Sequence, residues 1–211
     1  MNKKYTILIE AIICSFGLMV FSWFIHYDFP LRLLSLAALM LPAYFFSRNL
    51  QSLSDLKIVF GGFPFLKSTL LYCVAGILGG MLLSLFYRWY LGIALVPASL
   101  HYFVIIAALI GGLEELVFRG FIQEYVRSIN APFSIVFSTI SHTGYKCCLF
   151  LSPMSAAGID IGLLAFWTFI AGIIFGTIKH FSKSILPSLI AHALFDIWVY
   201  AEFVSAPWWV W

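Results

Sequence analysis

Apolar runs long enough to cross a bilayer recur from one end of this chain to the other, and no other feature restricts its fold so strongly. A span needs about 20 mostly apolar residues to cover roughly 30 Å of hydrocarbon. Seven segments qualify: 6–25, 31–47, 68–87, 101–125, 132–151, 161–179 and 184–204. The second is short enough to tilt into the interface, and the apolar stretch 89–100 can lie there as well, so six to eight spans fit the pattern. The backbone must satisfy its own polar groups inside hydrocarbon, and a helix does so within one segment. The expected fold class is all-α, a polytopic integral membrane helical bundle of about seven transmembrane helices.

No Ser/Gly-rich linker, long polar run or evident internal repeat divides the 211 residues, and the longest hydrophilic interval is "RNLQSLSDLK", residues 48–57. A single integral membrane domain over 1–211 is expected. The opening "MNKKYTILIEAIICSFG" has the basic start and apolar middle of a signal peptide. It lacks a convincing small-residue cleavage site and its apolar part is too long, so it reads as an uncleaved first span.

Twelve Lys and Arg residues are expected to collect in cytoplasmic loops. With the N-terminus cytoplasmic, Lys3, Lys4, Arg48, Lys57, Lys67, Arg127, Lys179 and Lys183 fall inside, whereas only Arg32 and Arg88 fall outside. This predicts an integral protein of the cell's inner or plasma membrane. The net charge of +3 then reports topology and contact with anionic lipid, and no clustered basic surface points to nucleic acid. Cys14, Cys73, Cys147 and Cys148 lie in apolar segments without metal-ligand spacing and read as small buried hydrophobes. The aromatic end "PWWVW" reads as an interfacial anchor at the outer face.

Against this background the stretch "GGLEELVFRG", residues 111–120, is costly, because a charge at a span centre is unfavourable by about 2.5 to 3.5 kcal/mol. Ionisable residues within or near the spans are Glu10, Glu114, Glu115, Arg119, His142, Lys146, His192, Asp196 and Glu202. Glu114 lies roughly 13 residues before Arg127, His142 roughly 10 into its span and His192 roughly 8 after Ser184, about 12 to 20 Å from one face at 1.5 Å per residue. Three helices therefore carry an acid and two imidazoles to a similar depth. Glu115 and Arg119, four apart, share a face and can neutralise each other, while Glu114 points about 100° away and stays free. His192 and Asp196 are likewise four apart, and Gly111 and Gly112 allow another helix or a substrate backbone to approach closely. His142 can also be read as a histidine satisfied by the hydroxyl of Ser138 or Thr139. Glu10, His101, Lys146, His180 and Glu202 read as structural or interfacial.

These residues resemble the motifs of the CPBP intramembrane proteases, the family containing the type II CAAX prenyl endopeptidases and the Abi proteins of bacteriocin processing and immunity. Glu114-Glu115-x-x-x-Arg119 is similar to the first motif, EExxxR. His142 stands in place of the second motif's histidine, and His192-x-x-x-Asp196 is similar to the third, HxxxN/D. One position departs: the second motif carries Phe four residues before its histidine, and here Ser138 stands there, with Phe137 one place earlier. The resemblance implies a four-helix catalytic core within about 101–204, preceded by N-terminal helices over about 6–87. It also implies roles: Glu114 as general base, His142 orienting or deprotonating the water, His192 and Asp196 polarising the scissile carbonyl, and Glu115 with Arg119 in support.

The expected function is an intramembrane endopeptidase acting on a membrane-associated peptide or protein near or within the lipid bilayer. A prenylated CAAX peptide, a bacteriocin leader and a C-terminal sorting tag are all compatible substrates. No cofactor is expected; the alternative is a zinc ion at Glu114, His142 and His192, against which the sequence has no HExxH and places Arg119 beside the acids. Two readings of another class are a proton- or ion-coupled transporter using the same groups as a relay, and a catalytically inactive immunity or scaffold protein.

Overall fold

A computed structural model describes residues 3–61, 67–155 and 159–204, so the "PWWVW" anchor lies outside the described residues. The helices are α1 (Lys3–Phe24), α2 (Arg32–Asn49), α3 (Leu53–Phe60), α4 (Lys67–Tyr90) and α5 (Phe103–Glu115), then a π-helical segment (Leu116–Gln123) and α6 (Glu124–Arg127), α7 (Ala131–Leu151), α8 (Ile161–Ser182) and α9 (Leu186–Val199). Among the described residues the only β pairing is an isolated antiparallel bridge between Gly61 and Ser184. The chain is all-helical, an integral membrane protein. By length and composition α1, residues 69–90 of α4 and α8 can each cross a bilayer, and α2 with α3, bent by 114°, makes a fourth if counted as one span.

Side-chain caps start three of the helices. Asn130 caps α7 by accepting from the Phe133 amide at 3.0 Å, and Asp160 caps α8 by accepting from the Leu163 amide at 3.0 Å. Helix α3 occupies part of the longest hydrophilic interval, residues 48–57. A capping box starts it: the Ser52 hydroxyl accepts from the Asp55 amide, and the Asp55 carboxylate accepts from the Ser52 amide at 2.9 Å. The stretch 89–100 is the end of α4 followed by turns rather than a helix. The last predicted span is shorter than 184–204, because Pro187 opens α9 and the helix ends at Val199.

Glycines decide where helices touch. A Cβ at Gly76 would stand 2.3 Å from the Pro187 carbonyl oxygen, and one at Gly80 would stand 2.2 Å from that of Ala191, so α4 and α9 pack backbone against backbone. Helix α9 is held between α4 and α5, α7 pairs with α8, and α1 joins α2 to α7. One apolar cluster gathers Cys14, Leu18, Val59, Phe118, Phe121 and Ile122, and a second gathers Leu83, Phe175 and Ala191. Large apolar side chains such as Phe16, Leu70, Ile105 and Phe166 face outward, the pattern of a surface solvated by lipid.

Two cations used to count topology are not loop charges. Lys179 is buried in α8 and ion-pairs with Glu124. Arg88 is fully buried, donating to the carbonyls of Ala94 (2.6 Å) and Trp198 (3.0 Å) and to Glu202 (3.0 Å). A guanidinium has five donors in a fixed fork, and here they tie the segment after α4 to the end of α9.

Candidate active site

Helix α5 presents Ile105, Leu109 and Leu113 outward and buries Phe103, Ala107, Gly111 and Glu114. Its inner face ends in the two carboxylates. Gly111 is the contact point with α9, since a Cβ there would lie 2.3 Å from Asp196 Oδ2 and 3.0 Å from the His192 ring. Gly112 has only Leu189 near it, at 3.9 Å, so the close approach expected of both glycines is made at Gly111 alone. The helix then passes into the π-helical segment, which carries Arg119 and lies against α7.

Six predicted residues meet in one buried cluster: Glu114, Glu115, Arg119, His142, His192 and Asp196. Arg119 Nη1 lies 2.8 Å from His142 Nδ1. A guanidinium only donates, so Nδ1 accepts and the ring proton sits on Nε2. That Nε2–H points to Glu114 Oε2 at 3.1 Å. His142 is thus neutral, in one tautomer, with both nitrogens engaged. On the other side, Glu115 Oε1 forms an ion pair with Arg119 Nη1 at 3.1 Å and accepts from His192 Nδ1 at 3.0 Å. The free edge of His192 is therefore Nε2, which stands 3.8 Å from Glu114 Oε2 and 3.6 Å from Asp196 Oδ2.

Several expectations change. Glu114 is not free; it is held by His142 and, at Oε1, by Lys146 Nζ at 2.5 Å. Lys146, read as structural, belongs to the cluster, and its position four residues after His142 on one helix was the available signal. His142 is not satisfied by a hydroxyl: Ser138 donates to the Phe118 carbonyl at 2.7 Å, and Thr139 Oγ1 is unpartnered. The aromatic contact to His142 comes from another helix, because Phe118 of the π-helical segment stacks on the imidazole with centroids 4.5 Å apart. Glu10 lies apart from the cluster, paired with Arg48 at 2.7 Å and with Tyr125.

The donor set fits a zinc ion poorly. A metal-bound imidazole offers a lone pair, and His142 has already given its lone pair to Arg119 and its proton to Glu114. Two cations, Arg119 and Lys146, stand where a dication would be repelled. Among the described residues no group of three or more His, Cys, Asp or Glu side chains is arranged to hold a metal.

Residues 96–198 match the family model described as type II CAAX prenyl endopeptidase Rce1-like. This region contains every member of the cluster. No curated protein and no solved structure matches the chain significantly.

Proposed function

We propose, on the premise that through residues 96–198 the chain belongs to the CPBP family of CAAX-type intramembrane proteases, that it hydrolyses a peptide bond of a membrane-associated substrate with Glu114 as the base. The observation that carries this is the placement of Glu114: a buried carboxylate held by α7, with the open edge of His192 and the Asp196 carboxyl across from it. In the reaction Glu114 takes a proton from water as the water oxygen bonds to the carbonyl carbon. The charge that develops on the carbonyl oxygen is met from α9, where Asp196, as the protonated acid, donates its O–H, and His192 is fixed in orientation by Glu115. Collapse breaks the C–N bond, and Glu114 hands its proton to the leaving amine. Neutral His142 orients the base rather than acting as one. Glu115 and Arg119 brace the two imidazoles from behind.

The family's description supports a prenylated C-terminal peptide as substrate. The test uses purified protein in liposomes with a fluorogenic peptide bearing a farnesylated cysteine three residues from its C-terminus. Cleavage by the wild type after that cysteine, and none by Glu114→Gln at equal folded protein, is the expected result. Undiminished cleavage by Glu114→Gln would sink the assignment.

A further inference from the structure

Helix α7 grips both oxygens of Glu114. His142 Nε2 lies 3.1 Å from Oε2, and Lys146 Nζ, one turn further along the same face, lies 2.5 Å from Oε1. The two contacts differ in kind. The His142 ring is neutral, because its Nδ1 accepts from Arg119, so it supplies a hydrogen bond and no net charge. The Arg119 charge is directed to Glu115 at 3.1 Å. His192 has its Nδ1 on Glu115 and its Nε2 at 3.8 Å from Glu114. Lys146 is thus the cation that touches Glu114, and an ionised carboxylate in a bundle interior takes up a proton unless a charge compensates it.

We propose that Lys146 is the positioning residue that keeps Glu114 a carboxylate and fixes its orientation, an assignment that rests on Glu114 being the base. An acid that has already bound a proton cannot take one from water, so without Lys146 Glu114 would be left with His142 alone and would lose its role as base. The ammonium stands against Oε1 as an ion pair. Its side chain is 21% exposed against 6% for Glu114, so Lys146 lies on the more open side of the carboxylate and leaves the inner side to His142. The groups around it are Glu114, Tyr145 and Asp196.

Infrared spectroscopy of proteoliposomes tests this without a substrate. Wild type should show no carbonyl stretch of a protonated carboxyl that disappears in Glu114→Gln. Lys146→Met should gain such a band, and Lys146→Met/Glu114→Gln should lose it; Lys146→Gln serves in place of the Met variant should that one fail to fold. Lys146→Arg should keep the carboxylate. With the farnesylated peptide, kcat should fall by about 10²-fold in Lys146→Met while KM stays within about twofold, and Lys146→Arg should recover most of the loss. A protonated Glu114 in the wild type, or a carboxylate persisting in Lys146→Met, overturns the proposal. If Glu114→Gln is inactive but Lys146→Met turns over like wild type, only the role of Lys146 falls; if Glu114→Gln is active, the base assignment falls with it.

Discussion

Oε1 of Glu115 pairs with the Arg119 guanidinium at 3.1 Å and accepts from His192 Nδ1 at 3.0 Å, so one oxygen joins the π-helical segment to α9. Both Glu115 and Arg119 are fully buried. Glu115→Gln leaves the Arg119 charge uncompensated and should destabilise the protein by about 3 to 5 kcal/mol, seen as a lower unfolding temperature and a lower yield. Glu115→Gln/Arg119→Met removes both charges and should recover much of that stability. An unaltered unfolding temperature in the single variant would count against the pair as a structural brace.

Two glycine substitutions should fail in different ways. In Gly111→Ala the new methyl meets side-chain atoms of Asp196 and His192, which can rotate away, so the protein should fold and lose about 10²-fold in turnover through misplacement of the site. In Gly80→Ala the methyl meets the Ala191 carbonyl at 2.2 Å, and a backbone cannot rotate away. Helices α4 and α9 must separate, and folded protein should be lost. Thermal unfolding and peptide cleavage measured on both variants separate the two outcomes.

Asp196→Asn should retain cleavage to within about tenfold, because the amide N–H can replace the acid O–H as donor to the oxyanion. The wild type should lose activity at high pH as the acid ionises, and the Asn variant should not. A folded but inactive Asp196→Asn protein would favour an ionised Asp196 that pairs with His192 across their 3.6 Å separation.

Glu202 lies past the end of α9, where the Ala98 amide and the Arg88 guanidinium hold its carboxyl below the usual carboxylate range. A depressed value in the folded state stabilises above the unfolded carboxyl's pKa of about 4.3, and that stability is lost as pH falls through the folded value. The gap in unfolding temperature between wild type and Glu202→Gln should be widest near neutrality and close as pH falls from about 5 toward 3. A gap that widens in acid would contradict the clamp.

Chelation should leave turnover unchanged, since both His142 nitrogens are occupied and Arg119 and Lys146 flank the acids. The check is to assay the purified protein before and after treatment with a strong zinc chelator, with elemental analysis alongside. Activity that vanishes with stoichiometric zinc and returns with it would make Glu114 a metal ligand or a base acting on metal-bound water.

The buried polar cluster was legible because its cost is legible: charges at mid-span need partners, and Glu114, His142 and His192 fall at one depth. The helices were legible from hydropathy for a similar reason. Helix α3 was missed although its signature, Ser52 followed three residues on by Asp55, is written in the longest hydrophilic interval. Lys146 was missed because a lysine in an apolar run also fits a side chain reaching for the interface, and only the position of Glu114 on another helix decides between the two. Arg88 was unreadable in principle. Two of its three partners are backbone carbonyls, which every residue carries, and the third, Glu202, lies 114 residues away.

The π-helical turn between Glu115 and Glu124 acts as a change of phase. Upstream, α5 faces α9; downstream, the same rod faces α7 and α1. A wider turn lets a single helix hand its inward side from one neighbour to the next without a break, which a uniform α-helix of the same residues would not do. Deleting one of residues 116 to 118 would hardly change composition or hydropathy, yet on an unbroken helix it would turn Arg119 by roughly 100° about the axis relative to Glu114 and Glu115. Such a chain would still carry its apolar spans, with its arginine turned away from Glu115 and His142.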